Sequence, residues 1–421
     1  MSGESRQHGK TYLLAIAITV SLCALWGLAH GLYGFVLGPF YRLFELSPAA
    51  RHFTDLSFQI TYVIVALPAA QFLRKLGYKL AIVVGLSAFS VGAFLFYPAM
   101  AQHQVLWLVA AVIATSMGWA FLETSVNPLI CRMGSPKTAV LRLNFAQAFY
   151  PLGYVLAVWL GRSINIPHVA ALGAQSIETF VRPYVVVGLA LLLVAFLIEN
   201  IEFPRLAVTP SSRPARLRQE LKTLLSQQEF RLALAAMAAA MAGLVCVMSV
   251  ASGYITQVWP AEAALLVPNV SIAFWAVVGL GRFSGTALML RFKPLHMLAV
   301  AAAACVCTLC LALVGDGLVG TAGLFGTALF LSITFPTIFG EAVRNTGELI
   351  KSASGLLVVA AGLSSMAAGN FLRWALAAGY VHLAVATAIL CYGVVLVVVL
   401  AIRRLRKEIL AVPQDSMIAS A

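Results

Sequence analysis

A single carboxylate, Glu123, lies in the stretch GWAFLETSVNPLICRMGS (residues 118–135), where most neighbours are apolar or small. Asn127 follows four residues later, so on a helix both side chains would share one face. An ionised carboxylate can accept hydrogen bonds from two hydroxyl groups, and a protonated one can donate. The pair could therefore bind a hydroxyl-rich ligand, with Glu123 also carrying a proton. The alternative is a structural carboxylate neutralised by an arginine, but Arg132 lies more than two helical turns away.

A second polar pair, Asn144 and Gln147, lies three residues apart in RLNFAQAFYPLG (142–153). Amides donate and accept hydrogen bonds together, which suits a hydroxyl-rich ligand, but they also join helices within a bundle. We favour ligand contact for Gln147 and keep both interpretations for Asn144. Arg142 stands at the end of the same predicted helix, where an ion pair or a gate is the favoured role.

Three further candidates share a face of the first predicted helix, because Trp26, His30 and Tyr33 are spaced at four and three residues. We interpret this face as one wall of the site. An imidazole titrates near neutral pH, so His30 could exchange a proton with Glu123. It could equally be a neutral hydrogen-bonding residue, and Trp and Tyr are also expected at membrane interfaces.

The composition places these residues in a membrane. Of 421 residues, 61% are hydrophobic and only 10% are charged, whereas soluble domains are about one quarter charged. Crossing the hydrocarbon takes about 20 apolar residues in a helix, and the sequence predicts twelve such spans. They cover approximately residues 11–38, 54–73, 80–100, 104–131, 138–163, 181–200, 230–256, 264–290, 295–315, 318–343, 350–377 and 380–402.

The net charge of +13 follows from the distribution of Lys and Arg. Most of them fall in the termini and the even-numbered loops, which predicts that both termini are cytoplasmic. No nucleic-acid partner is needed to explain this charge. The cysteines of CVCTLC, Cys305, Cys307 and Cys310, are interpreted as small apolar residues of a span, and we expect neither a metal nor another cofactor.

The spans form two sets of six, separated by a long polar interval. We expect a six-helix bundle at 1–200, a cytoplasmic linker at 201–229 and a second six-helix bundle with a short basic tail at 230–421. The halves resemble each other, since ETSVNPLI in span 4 corresponds to SITFPTIF in span 10. The predicted fold class is an all-α membrane protein with twelve transmembrane helices in the major facilitator architecture, whose site lies between the halves.

Four stretches carry a more specific resemblance. FLETSVNP (121–128), RLNFAQAFYPLG (142–153), GRFSGTALM (281–289) and SITFPTIF (332–339) resemble, in order and spacing, the family of bacterial L-fucose/proton symporters and related sugar transporters. The resemblance implies a multi-pass protein of the bacterial inner membrane that moves a monosaccharide together with a proton by alternating access. It also implies that Glu123 lines a central cavity and takes part in sugar binding and proton coupling.

The sequence departs from that family in two ways. The family has a protonatable aspartate in its first helix, where this chain has Gly34, with His30 in place of an asparagine. Arg182 and Arg373 also fall where relatives have neutral residues. They either extend to the membrane interface or contact an anionic substrate, such as an organic acid, a sugar acid or a carboxylate siderophore.

Other classes of function fit the sequence less well than transport does. The chain has no Walker loop, HExxH or GxSxG motif, so we expect no enzyme. A transporter-like nutrient sensor is an alternative, although the sequence offers only the 201–229 linker and a short tail to carry a signal. The expected partners are a small-molecule substrate, protons and membrane lipids, and we expect a monomer.

Overall fold

The computed structural model describes residues 3–163, 175–200 and 217–411, nearly all of them helical. The first half contains α1 (Gly3–Leu43), α2 (Pro48–Gln102), α3 (Val105–Arg132), α4 (Ala139–Gln147), α5 (Phe149–Ser163) and α6 (Gln175–Asn200). The short helix α7 (Leu217–Ser226) follows. The second half contains α8 (Gln228–Val258), α9 (Ala263–Leu288), α10 (Pro294–Val314), α11 (Gly317–Leu331), α12 (Thr334–Val343), α13 (Ile350–Ala377) and α14 (Val381–Ala411).

Eleven segments of the described ranges are long and apolar enough to cross a membrane. One of them, α2, has 55 residues and at 1.5 Å per residue would measure roughly 80 Å, far more than the hydrocarbon core. Gly77 interrupts it with φ 86° and ψ 173°, a conformation that glycine adopts without steric penalty. Since the chain turns there, α2 supplies two spans, and the predicted fold class of twelve helices is confirmed.

Two spans are themselves broken near the middle of the bundle. Ala148 separates α4 from α5, and Ser332 and Ile333 separate α11 from α12. Pro151 and Pro336 follow these breaks, and proline removes a backbone N–H from the helix ladder. The breaks release backbone carbonyls inside the protein, where side chains must satisfy them.

Small residues let the helices approach closely. A Cβ atom on Gly27 of α1 would lie 1.9 Å from the carbonyl oxygen of Tyr150, and one on Gly153 would lie 1.9 Å from that of Ala24. These two glycines pack α1 directly on the backbone of α5. The α1 face that carries Trp26 is thereby fixed against the start of α5.

The bundle has two distinct ends. At one end Arg132 pairs with Glu348 at 3.4 Å, and at the other Arg373 pairs with Asp55 at 3.5 Å. Helix α13 runs between them, which separates the ends by roughly 35 Å. We call the first the basic end, because the loops predicted to be cytoplasmic lie there, and the second the opposite end. At both ends a residue of one half pairs with a residue of the other.

The linker contributes one helix to the basic end. Glu220 of α7 accepts a hydrogen bond from Arg74 of α2 at 2.6 Å and another from the hydroxyl of Ser352 in α13. One carboxylate therefore contacts both halves. Residues 201–216 of the predicted linker lie outside the described ranges, and the division into 1–200, 201–229 and 230–421 stays a prediction.

Candidate functional site

A cavity of about 400 Å³ lies between the two halves. Aromatic side chains form much of its wall, and they come from both halves: Trp26, Phe58, Tyr62, Trp119, Tyr150, Trp275 and Phe335. Six polar side chains also face it: His30, Gln59, Glu123, Gln147, Arg282 and Ser365. A mostly apolar cavity with a few polar groups is typical of a small-molecule site.

Glu123 of α3 lines this cavity and is only 6% exposed. The hydroxyl of Tyr62, from α2, donates a hydrogen bond to its Oε2 atom, and the side chain of Trp119 approaches the same carboxylate. Within the described ranges no Lys, Arg or His nitrogen lies within 4.0 Å of it. The carboxylate is therefore held by neutral groups beside an open space, as expected of a functional acid at membrane depth.

The predicted amides divide into one cavity residue and two supporting residues. Gln147 lines the cavity, and its Nε2 atom donates to the Oδ1 atom of Asn127 at 2.8 Å. Asn127 is fully buried behind it. Asn144 is also buried and donates to the hydroxyl of Thr337 in α12 at 3.1 Å. Asn144 thus joins the two halves, which is the helix-joining role that the sequence left open.

The predicted face of α1 is only partly on the cavity. Trp26 and His30 line it, whereas Tyr33 packs against Phe58, with 5.2 Å between the centroids of the two rings. The Nδ1 atom of His30 shares a hydrogen bond with the hydroxyl of Tyr150. The His30 ring also lies 4.5 Å from that of Trp119. Since Trp119 approaches Glu123 as well, it stands next to both titratable groups.

The comparisons with known proteins agree with this architecture. The sequence matches the family model of the Major Facilitator Superfamily over residues 14–369. The chain belongs to the major facilitator superfamily. This superfamily member is 29% identical to the L-fucose-proton symporter of Escherichia coli (strain K12), over 82% of both chains. It is 26% identical to a glucose/galactose transporter of Brucella abortus biovar 1 (strain 9-941), over 80% of this chain and 82% of that protein.

Solved structures give the same result. The fold is similar to the crystal structure of FucP, a major facilitator superfamily transporter in the outward conformation, with a TM-score of 0.85 and 26% identity. That match covers 93% of this chain and 99% of FucP. The proton:xylose symporter XylE matches with a TM-score of 0.73 at 12% identity, which bears on the fold alone. The predicted membership of the L-fucose/proton symporter family is confirmed.

Three arginines of this superfamily member were singled out from the sequence, and none of them lines the cavity. Arg142 hydrogen-bonds the carbonyl oxygens of Cys131, at the end of α3, and of Ser135, both at 2.9 Å. It thus fixes the loop at the basic end. Arg182 is exposed, and Arg373 pairs with Asp55 at the opposite end.

A fourth arginine was missed by the sequence reasoning. Arg282 of α9 is 8% exposed and lines the cavity. Its Nη1 atom donates to the backbone oxygen of Gln147 at 2.8 Å, and its Nε atom to that of Ser332 at 2.8 Å. Within the described ranges no carboxylate lies within 4.0 Å of it. The rule that identified Glu123, an ionisable group inside a predicted span, would also have identified Arg282.

Proposed function

We propose that the protein is a secondary transporter that moves a monosaccharide together with a proton by alternating access. The observation that carries the proposal is Glu123, a buried carboxylate in the central cavity with Tyr62 as its hydrogen-bond donor and, among the described residues, no cation beside it. The names of its relatives, a fucose-proton symporter and a glucose/galactose transporter, support a hexose-like cargo.

The carboxylate can couple the two solutes through its hydrogen bonding. When ionised it accepts hydrogen bonds only, from Tyr62 and from hydroxyl groups of the sugar. When protonated it becomes a donor and loses its charge, so its contacts with the sugar change. A net charge at membrane depth disfavours movement of the halves around it, and protonation removes that charge. Proton and sugar would thereby be carried in the same step.

The remaining cavity groups suit a sugar ring. Trp26, Trp119 and Trp275 offer flat apolar surfaces to its C–H faces, and the amide of Gln147 and the guanidinium of Arg282 offer N–H donors to its oxygens. The volume of about 400 Å³ lies at the lower end of the range for small-molecule sites.

We further propose that the basic end faces the cytoplasm, with both termini on that side of the bacterial inner membrane. The excess of Lys and Arg in the loops of this end supports this orientation.

We also propose that proton coupling depends on Glu123, with His30 as a second candidate, since Gly34 cannot carry a proton.

A second candidate function is transport of an anionic solute, such as a sugar acid or another organic acid. The observation that favours it is Arg282, a buried cation on the cavity that has no carboxylate beside it in the part of the chain that the structure describes. A guanidinium binds carboxylates through paired N–H groups. Arg182 and Arg373, from which the sequence first suggested this cargo, lie away from the cavity.

Uptake into proteoliposomes tests these proposals together. We expect an inward proton gradient to drive accumulation of radiolabelled fucose, glucose or galactose, and a protonophore to abolish it. Accumulation of glucuronate in preference to the neutral sugars would replace the first proposal with the second. Binding of a sugar in a thermal-shift assay without any uptake would favour the sensor.

A further inference from the structure

Prolines release backbone carbonyls in three of the spans around the cavity. In an α-helix the carbonyl of residue i accepts from the N–H of residue i+4, and a proline at i+4 has no N–H. Three such carbonyls accept a side-chain hydrogen bond, those of Thr124, Gln147 and Ser332, which lie four residues before Pro128, Pro151 and Pro336. Each needs another donor, because an unpaired carbonyl inside a membrane protein costs several kcal/mol.

A side chain donates a hydrogen bond to each of these carbonyls, and two of the three bonds connect the two halves of the protein. Ser354 of α13 donates its hydroxyl to the oxygen of Thr124 at 2.9 Å. Arg282 of α9 donates to the oxygen of Gln147 at 2.8 Å and, within its own half, to that of Ser332 at 2.8 Å. Arg282 thereby connects one proline-released carbonyl of each half.

The two bonds between the halves are shielded from water. Ser354 and Thr124 are 0% exposed, Gln147 is 4% exposed and Arg282 is 8% exposed. The packing next to Ser354 is close, since a Cβ atom on Gly355 would lie 2.7 Å from that of Ala70 across the interface. A hydrogen bond in such surroundings is stronger than one in water.

These bonds lie on the basic-end side of the protein. Ser354 is in the second turn of α13, which begins at the basic end. Arg282 is six residues from the end of α9 at Leu288, about two helical turns from the basic end. The bonds therefore close the protein between the cavity and that end.

We propose that Arg282 and Ser354 are the closing contacts of a gate at the basic end, and that Pro151 and Pro128 act in transport by keeping their carbonyl acceptors available. The proposal rests on the proposed alternating access. When the halves separate at this end, both carbonyls lose their donors and must bond to water. Opening of the gate therefore requires water to enter between the cavity and the basic end. On closing, Arg282 and Ser354 return to the same two carbonyl acceptors, those of Gln147 and Thr124.

Distances across the basic end provide the test. Spin labels at Lys137 and Asn345, both exposed and on opposite halves, would report closed and open conformers by double electron–electron resonance in nanodiscs. Cys307, Cys310 and Cys391, which are not buried, would first be replaced by serine or alanine. This measurement needs no substrate, so its outcome is independent of whether the protein moves a sugar.

The decisive variant is Pro151→Ala, which restores an N–H to α5 and lets the helix take the Gln147 carbonyl while Arg282 is left intact. We expect the population with the long distance to increase about fivefold, equivalent to about 1 kcal/mol for one net hydrogen bond. Ser354→Ala, which removes the other donor, should give a similar increase. Pro336→Ala is the matched control, because the Ser332 carbonyl bonds Arg282 within one half, and we expect less than a twofold change.

The proposal is overturned if Pro151→Ala and Ser354→Ala both keep the parental populations, or if Pro336→Ala shifts them as far. If Pro151→Ala does not reach the membrane, the distance measurements on Ser354→Ala and Pro128→Ala test the proposal in its place. Pro128→Ala restores the N–H that the Thr124 carbonyl lacks, and it should reproduce the serine variant.

Discussion

The two halves each bury a glutamate in corresponding helices, and the two residues have opposite surroundings. Glu123 in α3 and Glu341 in α12 are both 6% exposed. Glu341 bonds the Nη1 atom of Arg406 at 2.6 Å and lies 3.6 Å from the Nη1 atom of Arg344. Glu123 accepts a hydrogen bond from the hydroxyl of Tyr62 and lines the cavity.

The comparison teaches that burial alone does not identify a functional acid. A buried carboxylate with two arginines is already neutralised, and its charge helps to fix α12 against α14. A buried carboxylate with neutral donors beside a cavity keeps its charge available to a ligand or a proton. The partner of the acid, and not its burial, separates the structural Glu341 from Glu123, for which we propose a role in transport.

The largest effect that we expect comes from Glu123→Gln. The amide cannot carry a proton, so proton-driven accumulation in proteoliposomes should fall at least 100-fold, while the amount of protein in the membrane stays the same. Exchange of labelled for unlabelled sugar across the membrane should persist at a reduced rate. Unchanged uphill uptake would remove Glu123 from the proposed mechanism.

Glu341→Gln should act on stability instead. Breaking a fully buried ion pair costs about 3–5 kcal/mol, and we expect a smaller loss of about 2 kcal/mol, because Arg406 also bonds Glu229. Thermal unfolding of the purified protein in detergent would measure it. The same assay on Glu123→Gln is the control. A larger loss of stability in Glu123→Gln than in Glu341→Gln would contradict the assignment of Glu341 as the structural glutamate.

Tyr62→Phe removes the hydroxyl that donates to Glu123 and leaves the ring in place. A hydrogen bond to a charged group contributes about 1.5–3 kcal/mol, so the initial rate of proton-driven uptake should fall about tenfold. Tyr33→Phe is the matched control, since that ring lies off the cavity, and it should change the rate less than twofold. Equal effects of the two variants would argue against a role for the Tyr62 hydroxyl at the site.

Arg373→Ala should have the smallest effect. Its pairing with Asp55 at 3.5 Å is partly exposed, and such pairs contribute about 0–1 kcal/mol. We expect uptake of neutral and anionic solutes alike to change less than twofold. A selective loss of glucuronate uptake would return Arg373 to the substrate pathway.

Hydropathy and charge in the sequence were sufficient to predict the fold. Each predicted span corresponds to a helix or helix pair of the described ranges, and the spans 54–73 and 80–100 lie on either side of Gly77. Glu123 could be singled out because a lone carboxylate in an apolar stretch is conspicuous without knowledge of its neighbours.

The direction in which each side chain faces could not be read in the same way. The role of Asn144 depends on Thr337, 193 residues away. His30 lines the cavity and Tyr33 does not, and this difference depends on how α1 is rotated against its neighbours. Spacing along one helix defines a face, but the helices packed around it decide whether that face meets a cavity or another helix. Arg282 is less conspicuous than Glu123 for a simpler reason, since it lies inside the family-like stretch GRFSGTALM (281–289).

Gly34 illustrates how a carrier could change its energetics in a single mutation. A Cβ atom at this position would have the hydroxyl of Tyr154, 4.0 Å away, as its nearest neighbour, so a side chain can begin there without a clash at its Cβ. An acid introduced there would stand one helical turn from His30, so it would add a protonatable group near the cavity and leave the residues that line the cavity unchanged.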